Sequence, residues 1–153
     1  MERRIWLLFL SLFIVFAFAT TAYAQNAIQI QPSTDGTIEA SLIEAKVKRG
    51  VLTMKVALKN TSNEWIEPEI AFGKVYYTDV DANKKYFALK DSEGKFIAGP
   101  ARHDWGGGTF KEKIGHNAKQ ILWIKFPAPP ETTKTIDIFI PKILPFEDIT
   151  IQR

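Results

Sequence analysis

The chain has 153 residues, a formal net charge of +3 and no cysteine. Without cysteine it can form no disulfide, and a lipidated cysteine cannot anchor it to a membrane. Positive and negative side chains are interspersed and no basic run is present, so a nucleic-acid partner is not expected.

The first 24 residues have the organisation of a secretory signal peptide. Arg3 and Arg4 form a positive n-region, residues 5–19 form the apolar h-region, and the triplet at 22–24 is a small-x-small cleavage site. The apolar part is shorter than the roughly 20 residues needed to span a bilayer. We therefore expect ordinary Sec export with cleavage after residue 24, and retention of this segment as an anchor is the alternative.

Residues 25–153 then form one exported domain, in the periplasm or outside the cell, with no membrane span after cleavage. A chain of this length can bury a core without covalent cross-links.

The clearest element of this domain is the segment 51–60, in which apolar side chains alternate with polar ones. The alternating apolar residues are Leu52, Met54, Val56 and Leu58. A period of two predicts a strand with one buried face.

Two further strands are predicted before this one. Residues 25–36 predict a short edge strand that ends near Pro32 and a turn at 33–36. Residues 37–48 suit either a strand or a short helix, and the tight Arg49-Gly50 link to the next strand favours a β-hairpin.

Turn-forming residues follow at 60–63. The Asn60-Thr61-Ser62 triplet is formally an N-glycosylation sequon, but its more ordinary role is turn chemistry. A crossing segment then leads to residues 70–79, whose aromatic and β-branched side chains suit the space between two sheets.

The spacing of Asp79, Asp81 and Asn83 resembles the opening of a calcium-binding loop. Lys84 and Lys90, however, stand where that motif requires glycine and glutamate. The pattern therefore favours a hairpin turn between strands at 70–79 and 84–89.

The remaining strands are predicted at 95–98, 120–126, 134–140 and 148–152, with Trp123 at least partly covered in a central strand. About eight strands with turns every 8 to 12 residues are typical of an immunoglobulin-like antiparallel β-sandwich. The sequence thus predicts an all-β fold.

One long irregular stretch, residues 99–115, interrupts this pattern. Loops of more than about 12 residues are uncommon in compact domains and often carry function. Arg102, His103, Asp104 and Trp105 lie together here beside three glycines. A rigid aromatic side chain with polar neighbours suits a recognition surface. We therefore take these four residues as the candidate binding site, and Trp105 as a plug over the end of the sandwich is the alternative.

No catalytic signature is present. None of the serines after residue 24 lies in a nucleophile elbow, and only His103 and His116 could act as imidazole bases. The same two histidines, with Asp104, could form a metal site only if the tertiary fold brought them together.

Several strings resemble the immunoglobulin-like (telokin-like) domain of bacterial envelope proteins. They are Val75-Tyr76-Tyr77 with Asp79, Lys84 to Lys95 (KKYFALKDSEGK), Trp123 to Pro130 (WIKFPAPP) and Pro145 to Ile149 (PFEDI). The resemblance covers roughly residues 47–151 and implies a non-enzymatic β-sandwich. In some of those proteins the domain precedes an OmpA-type peptidoglycan-binding domain. We expect no such domain here, so peptidoglycan binding is not carried over.

The functional expectation is a non-enzymatic, exported binding or accessory module of the bacterial cell envelope. It needs no cofactor, and its partner is a protein or another envelope component. The sequence leaves the oligomeric state open. The alternative is a metal-binding or metal-dependent periplasmic protein that uses His103, Asp104 and His116.

Overall fold

The computed structural model describes residues 26–102 and 108–153. The predicted signal peptide lies outside the described residues. Within them the chain forms eleven strands, one 3-10 turn at Phe72–Lys74 and no α-helix. The strands are β1 (Gln29–Pro32), β2 (Ile38–Lys48), β3 (Val51–Asn60), β4 (Glu69–Ala71), β5 (Tyr76–Asp79), β6 (Lys84–Phe87), β7 (Ala98–Gly99), β8 (Thr109–Lys111), β9 (Lys119–Pro127), β10 (Thr135–Phe139) and β11 (Phe146–Thr150).

The strands form two main antiparallel sheets and a short two-stranded one. The larger sheet has the order β1-β2-β3-β9-β7, the second has the order β11-β10-β5-β6, and β4 pairs with β8. In immunoglobulin domains one sheet has the order A-B-E-D and the other contains G-F-C, to which variable-type domains add C′. Strands β2, β3, β9 and β7 take the first set of positions, and β11, β10, β5 and β6 take the second. The predicted all-β, immunoglobulin-like sandwich is confirmed.

A single apolar cluster fills the space between the two main sheets. The alternating residues of β3 that predicted the strand are all buried, and they face side chains from the second sheet. Tyr77 of β5 packs its ring edge-on against Phe126 of β9, with the centroids 5.6 Å apart. The alternation in sequence therefore specifies which face of each strand enters the core.

The predicted hairpins are also present. Arg49 and Gly50, with φ of 53° and 77°, connect β2 to β3 in the left-handed conformation that a two-residue hairpin turn requires. Asp79 of β5 pairs with Lys84 of β6 across the second predicted turn. Trp123 lies in β9, between β3 and β7, and is partly covered as predicted.

The structure differs from the prediction in its shortest elements. The run predicted at 70–79 is divided by the 3-10 turn into β4 and β5, and the strand predicted at 95–98 is reduced to the two residues of β7. The stretch 99–115, predicted to be irregular, contains β8. Three of the eleven strands have three residues or fewer, so eight longer strands remain, in agreement with the predicted number.

Among the described residues there is no helix long and apolar enough to cross a membrane.

Candidate functional site

Four chain segments meet at one end of the sandwich. They are the turn before β2 (33–37), the β3–β4 connection (61–68), the segment before β9 (100–118, of which 103–107 lie outside the described residues) and the β10–β11 connection (140–145). Strand pairing places them together, because the start of β2 lies opposite the end of β3, whose Lys59 pairs with Lys119 at the start of β9. We call this region the loop end. In variable-type immunoglobulin domains, binding loops cluster at one end in the same way.

Of the four residues predicted to form a binding site, Arg102 is described. Its side chain is exposed, and its backbone N–H and carbonyl both pair with Thr109 at 2.8 and 2.9 Å. Arg102 is therefore held by its backbone next to β8. His103, Asp104 and Trp105 lie outside the described residues, and their proposed binding role stays a prediction.

A cavity of about 270 Å³ opens at the loop end. Its apolar wall comes from isoleucines and prolines of three segments that are far apart in sequence, and its polar lining comes mostly from the turn before β2. The lining residues are Ser33, Asp35, Thr37, Ile38, Ile66, Glu67, Pro68, Ile70, Pro141, Lys142 and Ile143. An apolar cavity with a few polar groups is the usual form of a ligand-binding site, and this one is slightly smaller than the range of about 300–1,000 Å³ that is typical of such sites.

Backbone hydrogen bonds hold the wall segments in place. Ser33 forms an antiparallel bridge with Ile143, and Thr34 N donates to Lys142 O at 2.8 Å. Ile66 forms a second bridge with Ile114. The cavity is therefore formed by the tertiary fold itself.

Charged side chains line the same cavity. Asp35 Oδ1 accepts hydrogen bonds from Ser33 Oγ at 2.6 Å, Thr37 Oγ1 at 2.8 Å and Thr37 N at 3.0 Å. These bonds, that of the Ser33 hydroxyl above all, lower the pKa of Asp35 from 3.8 to about 2. Asp35 is therefore a fixed anion at neutral pH. Glu67 and Lys142 add one further anion and one cation, and Lys142 has the unusual φ of 67° for a residue that is not glycine.

Trp65 is the second prominent feature of the loop end. It directly precedes the cavity residue Ile66, and 62% of its surface is exposed. The ammonium group of Lys113 lies 4.6 Å from the centre of its ring. An exposed indole is a strong binding anchor because it offers a large, rigid surface. No sequence pattern distinguishes Trp65 as a binding residue, because it lies in a short polar crossing between strands.

Asn60, the last residue of β3, joins the β3–β4 connection to the segment before β9 through its side chain. Its side chain is fully buried, and its Nδ2 donates to Glu64 O at 2.6 Å and to Ile114 O at 2.9 Å. Its Oδ1 accepts hydrogen bonds from both the backbone N and the hydroxyl of Ser62 at 2.8 Å. The predicted turn role of Asn60 is confirmed. A buried amide with these four bonds has no room for a glycan in the folded state.

His116 has both ring nitrogens engaged. Nδ1 lies 2.6 Å from the carbonyl oxygen of Ser62, and Nε2 lies 2.7 Å from Nδ2 of Asn117. A carbonyl can only accept, so Nδ1 carries the proton and Nε2 accepts from the amide. A metal ion would have to displace Asn117 to reach Nε2. Ser62 contacts the ring through its backbone, so the two residues do not form a nucleophile and its base.

The described residues contain no group of three or more histidine, aspartate or glutamate side chains arranged to hold a metal ion. His103 and Asp104, the other members of the predicted metal site, lie outside that part of the chain.

The segment with calcium-like spacing lies at the opposite end of the sandwich and forms the predicted hairpin turn. Asp79 is buried, and its two oxygens accept hydrogen bonds from Ala82 N at 3.1 Å and from Thr133 Oγ1 at 2.5 Å. Asn83 takes a left-handed conformation with φ of 49°. Asp79 thus fixes the turn and joins it to the segment before β10.

Comparison of the chain with protein-family models, with curated proteins and with solved structures finds no match. The telokin-like resemblance therefore depends on the sequence strings alone, and it identifies no partner.

Proposed function

We propose that this protein is a non-enzymatic, exported binding or accessory module of the bacterial cell envelope, and that it binds a protein or another envelope component through the loop end. The observation that carries the proposal is the apolar cavity between the turn before β2, the β3–β4 connection and the β10–β11 connection. The signal-peptide pattern of residues 1–24 supports export.

The cavity and Trp65 suggest how such binding would work. A volume of about 270 Å³ suits one apolar side chain or a group of similar size. Asp35, Glu67 and Lys142 would then orient the polar atoms of the partner at the rim. Trp65, which does not line the cavity, would add a separate large apolar contact at the loop end. Arg102, whose backbone pairs with Thr109, and the neighbouring His103, Asp104 and Trp105 in the sequence remain candidates for additional contacts.

Site-specific cross-linking in the native envelope tests the location of the site. A photoreactive amino acid is placed at Trp65 or at Lys142, both at the loop end, and at Asp81 in the β5–β6 turn as the control at the opposite end. We expect one discrete cross-linked product from the first two positions and none from Asp81. Equal cross-linking from all three positions, or none from the loop end, would overturn the proposal.

A separate measurement tests export. The full chain is expressed in a bacterium, the cells are fractionated, and the N-terminus of the recovered protein is determined. We expect an envelope or secreted form that begins at Gln25. A cytoplasmic protein that retains residues 1–24 would contradict the export part of the proposal.

A further inference from the structure

The edge strand β6 offers a second interaction surface, on the side of the sandwich. In the sheet order β11-β10-β5-β6, its only neighbour within the described chain is β5. An edge strand presents a row of backbone N–H and carbonyl groups that another extended chain can pair with. Proteins commonly bind extended peptides by adding them as a strand to such an edge.

Two exposed lysines mark this edge. The ammonium of Lys85 lies 4.4 Å from the centre of the Tyr76 ring, and that of Lys84 lies 4.9 Å from the centre of the Tyr86 ring. Neither lysine belongs to an ion pair within residues 26–102 and 108–153, where the ion pairs are Lys55–Glu44 and Lys95–Glu93. Two positive charges on a strand of four residues therefore have no acidic counterpart from the described chain.

An apolar row adjoins the lysines on the outer face of the same sheet. Phe87 of β6 is 52% exposed and lies 5.7 Å, centre to centre, from Tyr76 of β5. Tyr76 in turn stacks on Phe139 of β10 at 4.8 Å. Since Lys85 and Phe87 are two residues apart, they project from the same face. A strand added to β6 would meet one charge and one aromatic ring on that face.

These features select the kind of partner. A second copy of β6 would bring two further lysines to the same short interface, and like charges on adjacent strands repel each other. Acidic side chains would instead pair with the ammonium groups of Lys84 and Lys85, which point to opposite faces, and an apolar residue two positions from the acidic partner of Lys85 would cover Phe87 on the same face. We propose that the β6 edge binds an extended segment of a partner protein in which two adjacent acidic residues adjoin two adjacent apolar residues, as an added strand of the second sheet. This binding does not depend on the loop end.

The test uses the full chain and a defined probe. The probe is a capped nine-residue peptide in which pairs of glutamates alternate with pairs of valines, and binding is followed by NMR chemical shifts and by amide hydrogen exchange. This order places a glutamate and a valine in turn on each face of the added strand. We expect shifts centred on β6 and slower exchange of its outward-facing amides. A matched peptide in which lysine replaces every glutamate should not bind.

Two variants separate this site from general charge attraction. The K84E/K85E double variant should weaken binding of the glutamate peptide by about tenfold or more. The K48E/K119E variant, which changes two exposed lysines of the other sheet by the same charge, should bind as the parent does. If K84E/K85E does not fold, as judged by its thermal unfolding curve, K84Q/K85Q replaces it with a smaller expected loss.

A third probe tests strand addition itself. A glutamate–valine peptide with N-methyl groups on all its backbone nitrogens keeps its charge but has no N–H to donate to β6 along either edge. We expect it to lose most of its binding. The proposal is overturned if the N-methylated peptide binds equally, if the lysine peptide binds equally, if K84E/K85E has unchanged affinity, or if no peptide binds, in which case the lysines only protect the edge from pairing.

Discussion

At the scale of single residues, three of the four buried polar side chains of the described chain join segments that are distant in sequence. They are Asn60, Asp79 and Thr133, whereas Ser33 bonds to Asp35 and Ile38 within its own turn. Within the described residues no buried side-chain nitrogen or oxygen lacks a hydrogen-bond partner. The turn role of Asn60 could be predicted because its partner Ser62 is local. The bond between Thr133 and Asp79 could not, because the two residues are 54 positions apart and no pattern in either segment indicates the other.

Asp35 gives the first prediction, which concerns stability against pH. Because the pKa of Asp35 in the folded protein is about 2 and its ordinary value is 3.8, the folded state gains stability from the ionised carboxylate. That gain is complete above pH 4 and is lost as the pH falls towards 2. Asp35→Asn should remove this dependence and reduce stability at pH 7 by less than about 1 kcal/mol, since the side chain is exposed to solvent.

Urea unfolding of the parent and of Asp35→Asn at pH 7 and pH 3 measures this effect. Asp81→Asn, at the opposite end of the molecule, controls for the change in net charge. NMR titration of the Asp35 carboxyl group gives the pKa directly. A titration midpoint at or above 3.8 would show that, in solution, the hydrogen bonds of the turn do not stabilise the ionised form of Asp35.

Thr133 gives the second prediction. Thr133→Val keeps the shape of the side chain but removes the hydroxyl that donates to the buried Asp79 Oδ2. Leaving that oxygen without a donor should cost about 1–3 kcal/mol of unfolding free energy. Chemical denaturation measures the loss, with Thr133→Ser as a variant that retains the hydroxyl and Thr132→Val as an exposed neighbour. Equal stability of Thr133→Val and Thr132→Val would refute the role of this hydrogen bond.

At the scale of strands, length decides how well the sequence predicts an element. The strands β3, β9 and β10 contain five or more residues with clear alternation, so their positions follow from the pattern of burial, whereas β2 could be predicted only with the help of its tight Arg49-Gly50 link to β3. The strands β4 and β8 contain three residues each and exist because they pair with each other. About forty positions separate them, so the sequence of either one alone carries too little information to predict it.

The cavity at the loop end could not be predicted for the same reason: it forms only where segments distant in sequence meet. The length of the 99–115 stretch made it the predicted binding site, but none of its described residues lines the cavity. The cavity itself requires the turn before β2 to meet the β10–β11 connection, about 110 positions later. Only the tertiary pairing of Ser33 with Ile143 brings these walls together. Trp65 lacked the neighbouring glycines and charges that made Trp105 conspicuous.

The contact between β7 and β9 gives the third prediction. A Cβ atom on Gly99 would lie 2.7 Å from a ring carbon of Trp123, closer than real side chains approach, so Gly99→Ala must displace the indole. We expect a loss of about 1–3 kcal/mol and a shifted tryptophan fluorescence spectrum. Gly115→Ala is the matched control, because a Cβ there meets no atom within 4 Å. If both variants unfold at the same denaturant concentration, the indole does not pack on Gly99 as described.

At the scale of the whole molecule, the two sheets share one core and are also joined at their edges. Gln152 forms a parallel bridge with Lys46 of β2, and Val47 N donates to Gln152 O at 2.7 Å. The side chain of Gln29 in β1 accepts a hydrogen bond from Glu147 N of β11 at 3.0 Å. Because the apolar cluster and these links involve both sheets, we expect the sandwich to unfold as one cooperative unit.

Tyr77 connects the sheets most directly and gives the last prediction. Its hydroxyl donates to the carbonyl of Pro127 at 2.8 Å, from the second sheet to the first. Tyr77→Phe should therefore cost about 1 kcal/mol at pH 7, because Pro127 O loses its donor. Tyr86→Phe is the control, since its ring stacks on Tyr77 at 4.7 Å without a side-chain hydrogen bond in the described structure.

The pH dependence of the stability difference between the parent and Tyr77→Phe tests whether the neutral, buried phenol of Tyr77 causes it. Burial raises the pKa of Tyr77 above its ordinary value of 10.0, so the folded protein keeps the phenol neutral while the unfolded chain ionises it. The contribution of Tyr77 is therefore complete below pH 10 and is lost as the pH rises further. In urea unfolding, the advantage of the parent over Tyr77→Phe should shrink between pH 9 and pH 11. A constant difference across that range would mean that the tyrosine is not held neutral between the sheets.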